Sequence, residues 1–168
     1  MRVSILLTFT AIIILSCNNP GGKKMTDQTI TEIPTKQDSV SGYAIVNGLK
    51  MYYEIHGKGT ALVLIHGGGS TIQTTFGRVL PLFAKNHKVI AVEMQAHGHT
   101  ADIDRPLSFQ QDADDIAALL QQLHIDKADI FGFSNGASTT LQFAIRHPEM
   151  ANKIIVASTF YKKAGAPG

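Results

Sequence analysis

From residue 43 onward, short continuous apolar runs alternate with longer stretches in which apolar residues recur every three or four positions. The first two runs, Tyr43–Val46 and Leu49–Ile55, flank Asn47-Gly48. Both central positions of a type I′ turn need positive φ, so that dipeptide predicts a β-hairpin. Ala61–Ile65, Lys88–Val92, Ala128–Phe131 and Lys153–Ala157 are apolar without alternation, the pattern of strands buried on both faces. Between them lie helical periods. Ile72, Phe76, Val79, Leu80 and Phe83 predict a helix over 71–85, kinked at Pro81. Ser108 predicts the N-cap of a second helix, with Gln111 closing a capping box and Ile116, Leu119, Leu120 and Leu123 as its core stripe. Its Asp112, Asp114 and Asp115 read as solvated charge matched to the positive helix end. A third helix runs to His147 and is stopped by Pro148, and residues 161–168 read as a loop. A hairpin followed by alternating strands and helices predicts an α/β fold: a mostly parallel sheet with helices on both faces. In such sheets functional groups gather at the carboxyl ends of strands, here His66–Ser70, Glu93–Thr100 and Ser134.

The N-terminal region has a different pattern. Met1-Arg2 precedes an apolar run from Val3 to Leu15. That run is shorter than the ~20 residues a bilayer-spanning helix needs and suits the core of a signal peptide. It ends Leu15-Ser16-Cys17, which resembles the lipobox of bacterial lipoproteins, with 1–17 as the signal and Cys17 the only cysteine. That resemblance implies lipidation of Cys17, export, and anchoring to a membrane of the bacterial cell envelope. Residues 18–41 lack hydrophobic periodicity and read as a flexible tether before a domain over 42–168.

Composition narrows the chemistry. Of 168 residues, Lys and Arg number 15 against 13 Asp and Glu, for a formal net charge of +2. No basic run interleaved with aromatics is present, so nucleic acid is not an expected partner. One cysteine leaves no internal disulfide and no Cys-based metal site. His97 and His99 have no third ligand at suitable spacing and read as loop residues. Gly67-Gly68-Gly69 lacks both the Walker lysine spacing and the G-x-G-x-x-G pattern. No cofactor is implied.

The stretch with most chemistry is Gly132-Phe133-Ser134-Asn135-Gly136, a G-x-S-x-G nucleophile elbow between a strand and a helix. A serine on so sharp a turn has a strained backbone, and its flanking positions must lack side chains. Upstream stand His66-Gly67-Gly68-Gly69 after the third strand and Glu93–Thr100 after the fourth. Together, in this order, they resemble the α/β-hydrolase fold family over 43–161. The resemblance implies Ser134 as nucleophile, with the backbone N–H groups of Gly68 and Asn135 as oxyanion hole. His66 would order its loop. Phe133 and Met94 could line a substrate pocket or simply pack. Glu93, Ala96 and Thr100 replace the family's usual Asp, Gly and Ser, a departure bearing on a turn more than on chemistry.

The resemblance also implies an order Ser, then Asp or Glu, then His. After Ser134 only His147 and Glu149 are available, and His147 lies a helix length away, roughly 20 Å. The expected reading is therefore the N-terminal part of the fold, cut after the sixth strand, with an unpaired sheet edge and little activity alone. The expected function is hydrolysis of a carboxylic ester or similar small acyl substrate through an acyl-enzyme. The alternatives are cofactor-free perhydrolysis, C–C bond hydrolysis, or a non-catalytic surface protein on the same scaffold.

Overall fold

The computed structural model of the protein describes residues 39–159. The apolar run ending at Cys17 and the tether as far as residue 38 lie outside the described residues. The elements in chain order are β1 (Ser39–Val46), β2 (Leu49–His56), β3 (Thr60–Ile65), α1 (Ile72–Phe76), α2 (Leu80–Phe83) and β4 (His87–Val92). They are followed by α3 (Phe109–Gln122), β5 (Ala128–Phe133), α4 (Asn135–Arg146) and β6 (Ala151–Ala157). The described strands form one sheet in the order β1-β2-β4-β3-β5-β6. β1 pairs antiparallel with β2, and β2 with β4; every other pairing is parallel. This is the α/β architecture that the hydrophobic pattern predicts.

The unbroken apolar runs follow from the two faces of the sheet. Successive side chains along a strand point to opposite faces. Leu62 and Leu64 of β3 pack with Ile72, Phe76 and Leu80. Val63 and Ile65, on the alternate positions, join Ile116, Leu119 and Leu120 of α3 and Phe143 of α4. Helices cover both sides, so neither set of alternate positions is left to solvent. The hairpin turn is as expected, with Asn47 at φ 48° and Gly48 at φ 85°. β6 is the last strand of the described sheet, and Ile154 and Ile155 on it are substantially exposed.

Three local expectations need correction. β1 begins at Ser39 rather than Tyr43, because β2 extends to His56 and supplies partners back to Ser39. Backbone pairing, not hydrophobic periodicity, makes those residues a strand. The single kinked helix over 71–85 is two short helices. Gly77 ends the first, and Pro81 sits in the first turn of the second, where its missing N–H costs nothing. Finally, Ser108 does cap α3, its Oγ accepting from the Gln111 N–H at 3.1 Å. The reciprocal half of the capping box is not formed; the Gln111 side chain donates instead to Asp115 at 3.0 Å.

The aspartates of α3 are the largest departure, because none of the three is a freely solvated charge. Asp115 is fully buried and ion-paired with Arg105, and it also accepts from Asn47 at 2.9 Å. Asp114 faces α4, paired with Arg146 and His147, and the Arg146 hydrogen bond holds its carboxyl below the usual range. Asp112 is 8% exposed. The N-terminal turns of α3 lie against the loop after β4 and beside α4, so charges at the helix start face protein rather than water.

Candidate active site

Ser134 lies at the carboxyl end of β5, immediately before α4. Its backbone has φ 53° and ψ −111°, a conformation that a non-glycine residue adopts only when its surroundings impose it. Two glycines do the imposing. A Cβ at Gly132 would stand 2.0 Å from the Gly136 carbonyl oxygen, and one at Gly136 would stand 2.2 Å from that of Ile65. The strand, the helix and β3 therefore meet at a separation that only glycine permits. The turn is also tied from both sides. The Ser134 N–H donates to Ala157 O at 2.8 Å and the Gly136 N–H to His66 O at 3.1 Å.

Position alone would allow Ser134 to be a helix-capping serine. Its side chain, however, makes no capping hydrogen bond, and its Oγ bonds to no described residue. Among the described residues, this half-buried hydroxyl on a strained turn has no bonding partner.

Gly68 and Asn135 lie side by side. A Cβ on Gly68 would meet the Asn135 Cβ at 3.5 Å, and one on Gly67 would meet the Ser134 Cβ at the same distance. Neither the Gly68 nor the Asn135 backbone N–H donates to a described residue. Asn135 is the first residue of α4, where an amide has no intrahelical acceptor.

His66 holds this arrangement in place. Fully buried, it accepts from the Met94 N–H at Nε2 (3.2 Å), so its proton is on Nδ1, which donates to Gly67 O at 2.7 Å. Burial lowers its pKa, keeping the ring neutral for both bonds. His66 thus orders the loop, as its sequence position implies. His97 works in the same way: Nδ1 donates to Gln95 O at 2.8 Å and Nε2 accepts from the Gly69 N–H at 3.1 Å. His99 turns the other way, its ring nitrogen 2.9 Å from the buried Glu93 carboxylate. Glu93 also accepts from the Ile72 N–H at 3.4 Å, and Thr100 donates to Glu93 O at 2.7 Å. These residues brace a turn.

Two cavities adjoin the elbow. One, of about 480 Å³, is lined by Ser134, Phe133, Phe131, Phe76 and Val79 and is mainly apolar. The other, of about 490 Å³, lies between Gly68, Asn135, His97, Leu107, Phe109 and Asp112. Phe133 is 41% exposed and forms part of the first wall. Met94 lines neither cavity; it is buried in the core, with Thr139 Oγ1 3.8 Å from its sulfur. Of its two expected roles, packing is the one its position fits. His147 caps the far end of α4 and bonds Asp114 at 2.8 Å. No described histidine is hydrogen-bonded to the Ser134 hydroxyl. Sequence reasoning missed Asp112 as a cavity residue, and no local pattern marks it.

Comparison with known proteins agrees with this geometry. Residues 60–164 match the family model described as alpha/beta hydrolase fold. The chain is 30% identical over 129 residues to 2-hydroxymuconate semialdehyde hydrolase of Pseudomonas sp. (strain CF600), covering 73% of this chain and 44% of that protein. It is 31% identical over 121 residues to the human serine hydrolase BPHL, covering 69% of this chain and 42% of that one. Among solved structures, the epoxide hydrolase CorEH without ligand superposes with a TM-score of 0.72 at 25% identity, over 78% of this chain and 47% of its own. The chain spans less than half the length of these relatives. With the family model matched over most of the described residues, and the strained serine turn seated where the sheet requires, the chain belongs to the α/β-hydrolase fold family.

Proposed function

We propose that this protein is a serine hydrolase of small acyl substrates and that Ser134 is its nucleophile. The observation that carries the reading is a serine at φ 53° whose hydroxyl is bonded to nothing described, next to two unengaged backbone N–H groups. The Ser134 Oγ attacks the substrate carbonyl carbon and its proton passes to a base. The carbonyl oxygen becomes an oxyanion held by the N–H groups of Gly68 and Asn135. Collapse breaks the bond to the leaving group, which departs with a proton, and water then cleaves the acyl-enzyme. The two cavities beside the elbow would take the acyl and leaving groups.

No described histidine is hydrogen-bonded to the Ser134 hydroxyl; His66 and His97 hold loop bonds, His99 bonds Glu93 and His147 bonds Asp114. The 168-residue chain should therefore turn over p-nitrophenyl acetate far below ordinary enzyme rates. The names of similar proteins, a deacetylase, a semialdehyde hydrolase and an enol-lactonase, share hydrolysis but not a substrate. The reading accordingly stops at the reaction class.

The direct test is labelling by a fluorophosphonate probe. Labelling of Ser134, lost in Ser134→Ala, is expected of the full-length protein. Equal labelling of the variant, or none of the wild type, refutes the role. For the N-terminal region we propose lipidation at Cys17 and a cell-envelope location, tested by incorporation of an alkynyl fatty acid that Cys17→Ser abolishes.

A further inference from the structure

The cavity on the Gly68–Asn135 side contains a feature that the acyl chemistry does not use. Asp112 is 8% exposed, and its carboxyl accepts a hydrogen bond from no described residue. The opening left to it faces the cavity it helps to line. An ionised carboxyl buried without a partner costs stability, and folded proteins normally pair such groups.

The donors of Arg105, Gln111, Gln95 and His97 are all committed elsewhere. Arg105 is committed to Asp115 through its guanidinium and to Gln95 Oε1 through Nε at 2.6 Å. Gln111 donates to Asp115. The Gln95 amide donates to Asp102 at 2.7 Å and to the Ile103 and Arg105 carbonyls. His97 Nδ1 is bonded to Gln95 O and its Nε2 to the Gly69 N–H. With Arg105 balanced by Asp115, the group of three charges has a surplus of one negative charge, and that charge is on Asp112. A divalent cation would need several more oxygen ligands than this one carboxylate provides. The same cavity is lined by two exposed apolar side chains, Leu107 and Phe109, 61% and 39% exposed.

We propose that this cavity is a substrate subsite for a cationic amine on an apolar stem, with Asp112 as the residue that binds the ammonium group. The inference rests on the Ser134 reading for its catalytic meaning: the amine-bearing part of the substrate would lie here while its carbonyl sits between Gly68 and Asn135. Burial, followed by the nearby Asp115 charge, pushes the Asp112 carboxyl up to about 6, against the opposing pull of Arg105 and His97. Amine binding should therefore strengthen as pH rises through that value. Asp112 is then a specificity-determining residue and takes no part in bond making.

The test uses phenethylammonium and its neutral counterpart 2-phenylethanol, titrated into the isotopically labelled protein and followed by amide chemical shifts. At pH 8 the ammonium should bind about tenfold or more tightly than the alcohol, as a charge-assisted hydrogen bond requires. Shifts should centre on Gly68, Phe109 and Asn135. The preference should be lost at pH 5 and in Asp112→Asn at either pH, which separates Asp112 from any contribution of His97. Equal affinity for the two probes at pH 8, or a preference retained in Asp112→Asn, overturns the proposal. The amide spectrum of the variant reports whether it is folded, and the wild-type pH comparison needs no variant at all. Fluorophosphonate labelling of the full-length protein keeps the two readings apart. Labelling without amine preference sinks only the subsite; amine preference without labelling sinks only the nucleophile.

Discussion

Gly136→Ala should unfold the elbow from within. A methyl at this position would stand 2.2 Å from Ile65 O and 2.5 Å from His66 O. The first contact is about 1.2 Å short of ordinary van der Waals distance, and both obstacles are backbone atoms that cannot rotate aside. Relief requires moving the start of α4 away from the end of β3 by about an ångström. That movement breaks the Gly136 N–H to His66 O bond and pulls Asn135 away from Gly68. Overpacking a tight interior typically costs about 1–3 kcal/mol; with only backbone to yield, the upper end, about 3 kcal/mol, is expected here. Urea unfolding followed by circular dichroism measures it, with Gly68→Ala as the control. At Gly68 the new methyl meets Asn135 at an ordinary 3.5 Å, so stability should change by less than about 1 kcal/mol. A Gly136→Ala unfolding free energy within about 0.5 kcal/mol of wild type would refute the claim that glycine sets this separation.

Two further predictions concern the aspartates of α3. Asp115→Ala strips the buried partner from Arg105, whose side chain is only 16% exposed, and leaves Asn47 and Gln111 without their acceptor. A loss of about 3–5 kcal/mol in the unfolding free energy is expected, and a loss below about 1 kcal/mol would show the pair to be dispensable. Asp112 gives the opposite sign. Its folded-state pKa is raised from 3.8 to about 6, so between those values the native state binds more protons than the unfolded one. Stability therefore falls as pH rises from 4 towards 6 and levels off above it. The full cost is up to about 3 kcal/mol. Asp112→Asn should thus stabilise the protein at pH 8 and change little below pH 4; a variant no more stable at pH 8 contradicts the buried-charge account.

Much of the fold is legible in the sequence because its signals are local. The unbroken apolar run at Ala61–Ile65 reports two covered faces, Asn47-Gly48 reports its own turn, and the glycines around Ser134 report a tight crossing. His66 is legible as a loop-ordering residue because its neighbours already specify the loop. The chemistry of α3 is not legible, for a physical reason. A helix start is read as solvated unless something covers it, and what covers this one comes from elsewhere. Arg105 reaches Asp115 from the preceding loop, Asn47 from a distant hairpin, and Arg146 reaches Asp114 from α4. The same distance hides the environment of Asp112. Ser39 to Ser41 join β1 through backbone pairing that side-chain periodicity does not register.

Asn47 ends up serving two masters. Its positive φ makes the hairpin turn, and its amide supplies a hydrogen bond to Asp115 at the start of α3. For turn geometry alone, Asn-Gly, Asp-Gly and Gly-Gly are near equivalents. Here they are not interchangeable. Glycine would keep the turn and abandon the acceptor, while aspartate would set a second carboxylate against a buried one. The vocabulary open to a two-residue turn is thus narrowed by a helix far along the chain, so a designer redrawing this hairpin would be editing the buried Asp115–Arg105 pair without touching it.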